Sequence, residues 1–212
     1  MGIAERRERE KEQRRNDIID AAEQVFFKKG WQNATMDEVA AVAELSKGTL
    51  YLYFKSKEEL YLAILLRGFD IMTNLFVTGM SAVTRGLDQV RAIGEAYLKF
   101  YQDYPDYFNI LHYFQRHQLD PEDSGSEIVQ ACYQSAERGT CLVQNAIELG
   151  ISDGSIRADI DPHRTALVLW GAASGVFQVA SIKSETLRGK HSTEPETMIT
   201  EFFEFVERAL QP

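Results

Sequence analysis

The chain has little cysteine, two residues in 212. Cys132 and Cys141 are too few for a disulfide framework. Nine residues apart on one helix, they would stand about 13 Å apart along its axis, too far to bridge. They read as small core residues in a reducing compartment. The charged segment Arg6–Glu12 has no apolar run behind it of the kind a signal peptide carries. The longest nearly uninterrupted apolar stretch, Ala166 to Val176, falls short of the roughly 20 residues a bilayer demands. No membrane span is expected, and the protein reads as soluble and cytoplasmic. An excess of positive charge is missing too: 23 basic residues face 32 acidic ones, a net −9. Taken whole, that argues against a nucleic-acid binder. The charge is uneven, however. Residues 1–57 hold 11 basic and 10 acidic side chains, a net +1, and the remainder carries −10.

What is present is helical periodicity almost throughout. Ile18, Ala22, Val25 and Phe26 recur at one face of a helix from about Arg14 to Lys29, which Gly30 ends. Thr35-Met36-Asp37-Glu38 is a capping box opening a short helix whose inner face is Met36, Val39, Ala40 and Ala43. Ser46 caps a second short helix, Lys47 to Tyr53. Ser56-Lys57-Glu58-Glu59, another capping box, opens a long one. Further helices are expected over Asp88–Tyr104, from Pro105 to about His117, over Glu127–Leu149 with Gly150 ending it, from Asp161-Pro162 to about Ile182, and from Pro195 to about Leu210. Residues 120–126 read as a loop. The expected fold is all-α, about nine helices.

A helix, a tight turn and a second short helix form the helix-turn-helix arrangement. One helix lies across the phosphates while the other enters the major groove. The second helix presents Lys47, Thr49, Tyr51 and Tyr53, leaving Leu45, Leu50 and Phe54 to pack inward. Lysine can donate to guanine, threonine can touch a phosphate or a thymine methyl, and tyrosine offers a phenol and an apolar face. Gly48 lets the backbone come close to DNA. Thr35 and the Ser56-Lys57 turn stand at helix N-termini, where N–H groups can meet phosphate. Spacing alone equally fits Tyr51 and Tyr53 as half-buried core.

The stretch Gly30–Ala40, with Thr35-Met36-Asp37-Glu38-Val39-Ala40, and the run Ser46-Lys47-Gly48-Thr49-Leu50-Tyr51-Leu52-Tyr53-Phe54-Lys55-Ser56-Lys57-Glu58-Glu59-Leu60 resemble the DNA-binding domain of the TetR (tetracycline repressor) family over about residues 14–62. The resemblance implies a homodimeric bacterial repressor that binds a double-stranded DNA operator and is released by a small-molecule effector. It puts Lys47, Thr49 and Tyr51 toward the groove and Thr35, Tyr53 and Lys57 on phosphates. Ser46, Gly48 and Lys55 complete the candidate DNA-binding set. The turn departs from the family's usual Ala-Gly-Val-Ser, reading Ala43-Glu44-Leu45-Ser46. A left-handed Glu44 would cost about 1 kcal/mol relative to glycine. The N-terminal segment Arg6–Arg15 fits two readings, a solvated extension of the first helix or an arm tracking DNA.

Aromatics crowd residues 97–114: Tyr97, Phe100, Tyr101, Tyr104, Tyr107, Phe108, Tyr113 and Phe114, with His112 among them. Most fit as core. Burying so many phenols without partners is costly, so a cavity for a small apolar or aromatic ligand is the alternative. Its candidate lining is Phe100, Tyr104, Phe108, His112, Tyr133 and Trp170. The helix around Ala166–Ala180, with its glycines, and the last helix carry apolar residues on more than one face. They suggest a two-fold interface through Trp170, Ser174, Phe177, Phe202, Phe205 and Val206. The rival reading closes one domain's own core. His112 and His117 fall on different helix faces, and no acidic, histidine or cysteine cluster has ligand spacing, so neither metal nor cofactor is expected. No nucleophile–base pair or phosphate loop supports an enzyme. A protein-binding helical adaptor stays open beside the regulator. The expected division is a DNA-binding domain over 1–57 and a ligand-binding and dimerisation domain over 58–212.

Overall fold

A computed structural model of the chain describes residues 2–116 and 126–212. His117 and most of the expected 120–126 loop lie outside the described residues, as do the side chains of Tyr113 and Phe114. Among the described residues there are ten helices and no strand. They are α1 (Ile3–Lys29), α2 (Met36–Val42), α3 (Lys47–Tyr53), α4 (Lys57–Met80), α5 (Gly86–Asp103), α6 (Pro105–Arg116), α7 (Glu127–Asp153), α8 (Pro162–Ile182), α9 (Ser184–His191) and α10 (Pro195–Leu210). The eight-residue α9 is an addition to the expected set.

The chain forms two compact units, Met1–Arg67 with Pro121–Cys132, and Gly68–Asp120 with Tyr133–Pro212. Both α4 and α7 run from one unit into the other. In the first unit, Ile18, Ala22, Val25 and Phe26 of α1 are buried with Val39, Ala40, Leu50, Phe54 and Leu60. Arg67 donates to Asp20 at 2.6 Å and Glu23 at 2.9 Å, tying α4 to α1. Cys132 is buried, and its thiol, pushed up to about 12 by burial, donates to the Leu62 carbonyl at 3.6 Å. Cys141 is exposed rather than in the core. The α1 helix starts at Ile3, so residues 3–15 are its extension, with an i, i+4 pair of Arg6 and Glu10 at 2.7 Å.

The second unit has two interior clusters. One joins Leu87, Ile147, Ile156, Ala166 and Leu210. Gly150 sits inside α7 instead of ending it, because α7 continues to Asp153 and Gly154 takes the positive φ of +75°. Gly150 serves close packing: a Cβ there would meet the Ile156 side chain at 2.5 Å. The α5 N-terminus lacks a side-chain cap of its own. Asp153 and Ser155 supply one, taking the N–H groups of Gly86 at 2.7 Å and Leu87 at 3.1 Å. The Ser155 hydroxyl, then the Gly86 N–H, hold the Asp153 carboxyl below its usual range. The stability this cap adds is therefore present at neutral pH and lost as pH falls through that lowered value.

The second cluster is aromatic. Tyr97, Phe100, Tyr101, Phe108 and Phe177 meet with ring centroids 4.7 to 6.4 Å apart. Burial raises the Tyr97 phenol. Two helices, α4 and α8, are long and apolar enough to cross a membrane by length and composition, although the uninterrupted run within α8 is short. More than half of the most apolar stretch of α4 is buried inside the protein, whereas little of that of α8 is.

Candidate nucleic-acid interface

The head is built by its caps. Thr35 Oγ1 accepts from the Glu38 N–H at 3.3 Å, and Glu38 accepts from the Thr35 N–H at 3.1 Å. Both bonds of the expected box are made. Glu38 also takes Lys29 at 2.5 Å, and that contact first, then the Thr35 N–H, hold its carboxyl below the ordinary value. Ser46 Oγ accepts from the Thr49 N–H at 3.1 Å, capping α3. At Ser56 only half of the second box forms. Ser56 Oγ accepts from Glu59, but the Glu59 carboxylate turns to the Lys55 N–H at 2.6 Å. One residue of offset gives α4 a wider hold on the end of α3.

Between α2 and α3 the chain reverses through a Schellman turn. The Leu45 N–H reaches the Ala40 carbonyl at 2.9 Å and the Glu44 N–H reaches Ala41 at 3.2 Å. Glu44 takes φ +55°, in the left-handed region. Glu44→Gly should stabilise the protein by about 1 kcal/mol. Thermal melting is the check: a midpoint a few degrees higher is expected, and a lower one would mean that Glu44 makes a compensating contact.

The turn sets the face of α3. Leu50 and Phe54 are buried, one helical turn apart. Lys47, Gly48 and Tyr51 are exposed, Tyr51 at 41%, and Thr49 and Tyr53 are half-buried. The Thr49 hydroxyl lies 2.8 Å from that of Ser46. Over Gly48 the nearest atom to an added Cβ is Ser46 Oγ at 3.9 Å, so the backbone there is open. Lys55 is exposed.

Lys57 is placed differently from an ordinary surface cation. Its ammonium donates to the carbonyls of Trp31 at 2.8 Å and Ala34 at 3.1 Å, and lies 4.5 Å from the Trp31 ring centroid. Trp31 in turn packs edge-on against Phe26 and Tyr61. Lys57 thus clasps the α1–α2 loop. Of its three N–H donors, one is left for a phosphate.

Two features of this face were missed from sequence. Leu52 is 84% exposed. The buried pair Leu50 and Phe54 could have revealed it, since residue 52 lies about 200° around the helix from residue 50. An apolar tip there suits a thymine methyl. The second is an ion pair: Lys47 Nζ stands 2.7 Å from Asp37 Oδ1, and that contact raises the Lys47 ammonium above its ordinary value.

The other candidate sets separate. Phe100 and Phe108 are buried in the ring cluster; Tyr104 stacks on Phe100 at 5.9 Å, and His112 meets Phe108 at 4.3 Å. Tyr133 is half-buried on α7. Phe100, Tyr104, Phe108 and His112 thus lie ring against ring. A shallow depression of about 270 Å³ opens beside Tyr104, lined also by Ile71, Asn74, Leu75 and Thr78. Trp170 does not join the rings among the described residues. It is 51% exposed on α8, a helix that also exposes Leu167, Val168, Val179 and Ile182 at other positions around its axis.

Phe205 is likewise exposed, at 66%, and Phe202 is half-buried. Phe177 and Val206 point the other way. Phe177 is fully buried among rings, and Val206 packs on the Leu87–Ile147 cluster. Ser174 is half-buried and faces Tyr97. Gly171 and Gly175 have nothing within 4 Å of an added Cβ. Among the described residues nothing supplies the close approach that would offset their helical cost.

A family model described as bacterial regulatory proteins, tetR family, matches residues 18–64. The HTH-type transcriptional regulator YhgD of Bacillus subtilis is 32% identical over 160 residues, 72% of this chain and 76% of YhgD. Two solved structures share the fold. FadR from Bacillus subtilis in complex with stearoyl-CoA has TM-score 0.68 and 15% identity, over 92% of this chain and 98% of FadR. AibR in complex with isovaleryl coenzyme A and operator DNA has TM-score 0.67 and 17% identity, over 91% and 97%.

Proposed function

Because the chain belongs to the TetR family of DNA-binding transcriptional regulators, and not to a class of enzymes, we propose that it is a homodimeric repressor of a palindromic operator. A small apolar or aromatic effector releases it, and it works in the cytoplasm. The observation that carries the reading is the face of α3. Lys47, Tyr51 and Leu52 are exposed there while Leu50 and Phe54 anchor the helix from behind. Residues 1–57 serve as the DNA-binding domain and 58–212 as the ligand-binding and dimerisation domain.

The dimer uses the outer faces of α8 and α10. An apolar helix with little of its length buried and two open glycines suits a cover, and a second copy gives the two-fold symmetry that a palindrome mirrors. Effector binding among the rings of α5, α6 and α8 works by population shift. The favoured state spaces the two α3 helices out of step with successive major grooves. The α4 helix is the lever. Tyr107 of α6 supports this, since its ring lies 3.1 Å from where a Cβ on Gly68 of α4 would stand. Movement of α6 therefore presses directly on α4.

Two structural neighbours carry acyl-CoA thioesters, whose acyl chain is apolar but whose nucleotide is strongly anionic, so these are tested as the alternative beside small apolar and aromatic compounds. The full chain is bound to a duplex it has selected, and these compounds and thioesters of short and long acyl chains are titrated in while fluorescence anisotropy is read. Release of the duplex supports the mechanism. A compound that raises the melting temperature yet leaves DNA affinity unchanged contradicts it.

A further inference from the structure

The ion pair between Asp37 and Lys47 is a minor term in the stability of the head: Asp37 stands in the first turn of α2, where the dipole favours a carboxylate modestly. Both side chains are more than half exposed, and exposed pairs of this kind add little to stability. Neither cap uses them: Thr35 with Glu38 closes α2, and Ser46 with Thr49 closes α3. A carboxylate on this face also opposes backbone binding, because it repels phosphate. Its effect is on Lys47. A lone lysine on a four-carbon stem serves any phosphate within reach. Held 2.7 Å from Asp37, the ammonium stays between the first turns of α2 and α3.

Chemistry then selects a base pair. An ammonium has three N–H donors. One goes to Asp37, and two remain. The major-groove edge of guanine offers two acceptors, O6 and N7, and its cytosine partner offers the N4 amino donor beside them. An A·T pair instead sets a donor between two acceptors. Lysine donors next to a carboxylate acceptor complement the first pattern and not the second. Resting on the operator reading above, we propose that Asp37 and Lys47 form one recognition unit for a G·C pair. Lys47 donates to guanine, and Asp37 positions it and accepts from the cytosine amino group. Asp37 is thereby a specificity residue that turns a phosphate anchor into a base reader.

The test is operator selection by the full chain from a random duplex library, repeated with Asp37→Asn, followed by the salt dependence of binding to the wild-type consensus. The wild-type consensus is expected to hold a G·C pair at one position of each half-site, with replacement there costing about ten-fold in affinity. In Asp37→Asn that preference flattens at this position alone. The salt slope steepens by about one ion per chain, as Lys47 moves onto a phosphate. A melting temperature equal to the wild type's shows that the variant is folded. A variant that keeps the base preference and the salt slope overturns the assignment, as does an even loss across all positions. A wild-type chain that enriches no duplex overturns the operator reading itself.

Discussion

A glutamate in place of Trp170 should leave each chain folded and abolish its pairing. Trp170 is half exposed on α8, and no residue of its own chain depends on it for an aromatic contact among the described residues. In a two-fold interface the same patch serves both copies. Trp170→Glu would then bring two carboxylates into one apolar contact, each losing water without gaining a partner. Tryptophans near interface centres can carry more than 2 kcal/mol each on truncation, roughly, and a buried charge adds to that. Light scattering at micromolar concentration should report a monomer. Operator affinity should fall by about a hundred-fold or more, since two linked heads gain that much over one. A Trp170→Glu protein that stays dimeric and binds fully would put the interface elsewhere.

Gly86→Ala should be the most damaging single-methyl change in the chain. The added Cβ would stand 2.0 Å from the backbone nitrogen of Gly150, 2.2 Å from its Cα and 2.5 Å from the Ala146 carbonyl oxygen. All three are backbone atoms of α7, so no rotamer change relieves the overlap. The start of α5 must move outward, and doing so stretches the bonds from Gly86 and Leu87 to Asp153 and Ser155. A cost of about 3 kcal/mol, at the upper end for overpacking, lowers the melting temperature by about 10 °C in a chain of this size. Gly139 provides the contrast within α7. A Cβ there meets only Met72 Cε, at an ordinary 3.8 Å. Gly139→Ala should raise stability by about 0.5 to 1 kcal/mol through helix propensity. Equal effects from the two substitutions would contradict the packing described.

These glycines mark where sequence stops being sufficient. Gly150 after a long periodic run reads as a helix end, since a C-terminal glycine and a close-packing glycine look alike in one dimension. Only the approach of Gly86, 64 positions away, separates them. Local chemistry was legible: the Thr35–Glu38 box, the Ser46 cap and the proline starts of α6, α8 and α10 all follow from neighbours within five residues, whereas the left-handed Glu44 was signalled only by the glycine that the resembled family carries in that turn. The half-made box at Ser56 was less so, because Lys55 offers Glu59 a competing N–H. Direction was least legible in the most apolar helices. Along α8 and α10 almost every face is apolar, so composition did not separate Phe177 and Val206, which face inward, from Trp170 and Phe205, which face solvent. On α3 the pattern separated the faces only in part: Leu50 and Phe54 are buried and Lys47 and Tyr51 exposed, but Thr49 and Tyr53 are half-buried and Leu52 stands in solvent. The acidity of the chain is unevenly divided, with a near-neutral head and a body at −10. Non-specific binding should accordingly be weak and the salt slope modest.

Two copies of the chain are proposed to read one duplex through α3. The most direct test titrates the wild type and Tyr51→Ala against the duplex selected by the wild type, with stoichiometry read at saturation. Tyr51 is 41% exposed, so a melting curve beside the titration separates lost binding from lost fold. A palindromic consensus, at least two chains per duplex in an even number, and a loss of at least ten-fold in affinity for a folded Tyr51→Ala are expected. A Tyr51→Ala chain that binds as tightly as the wild type, or a wild type that binds as one chain per duplex, would contradict this reading.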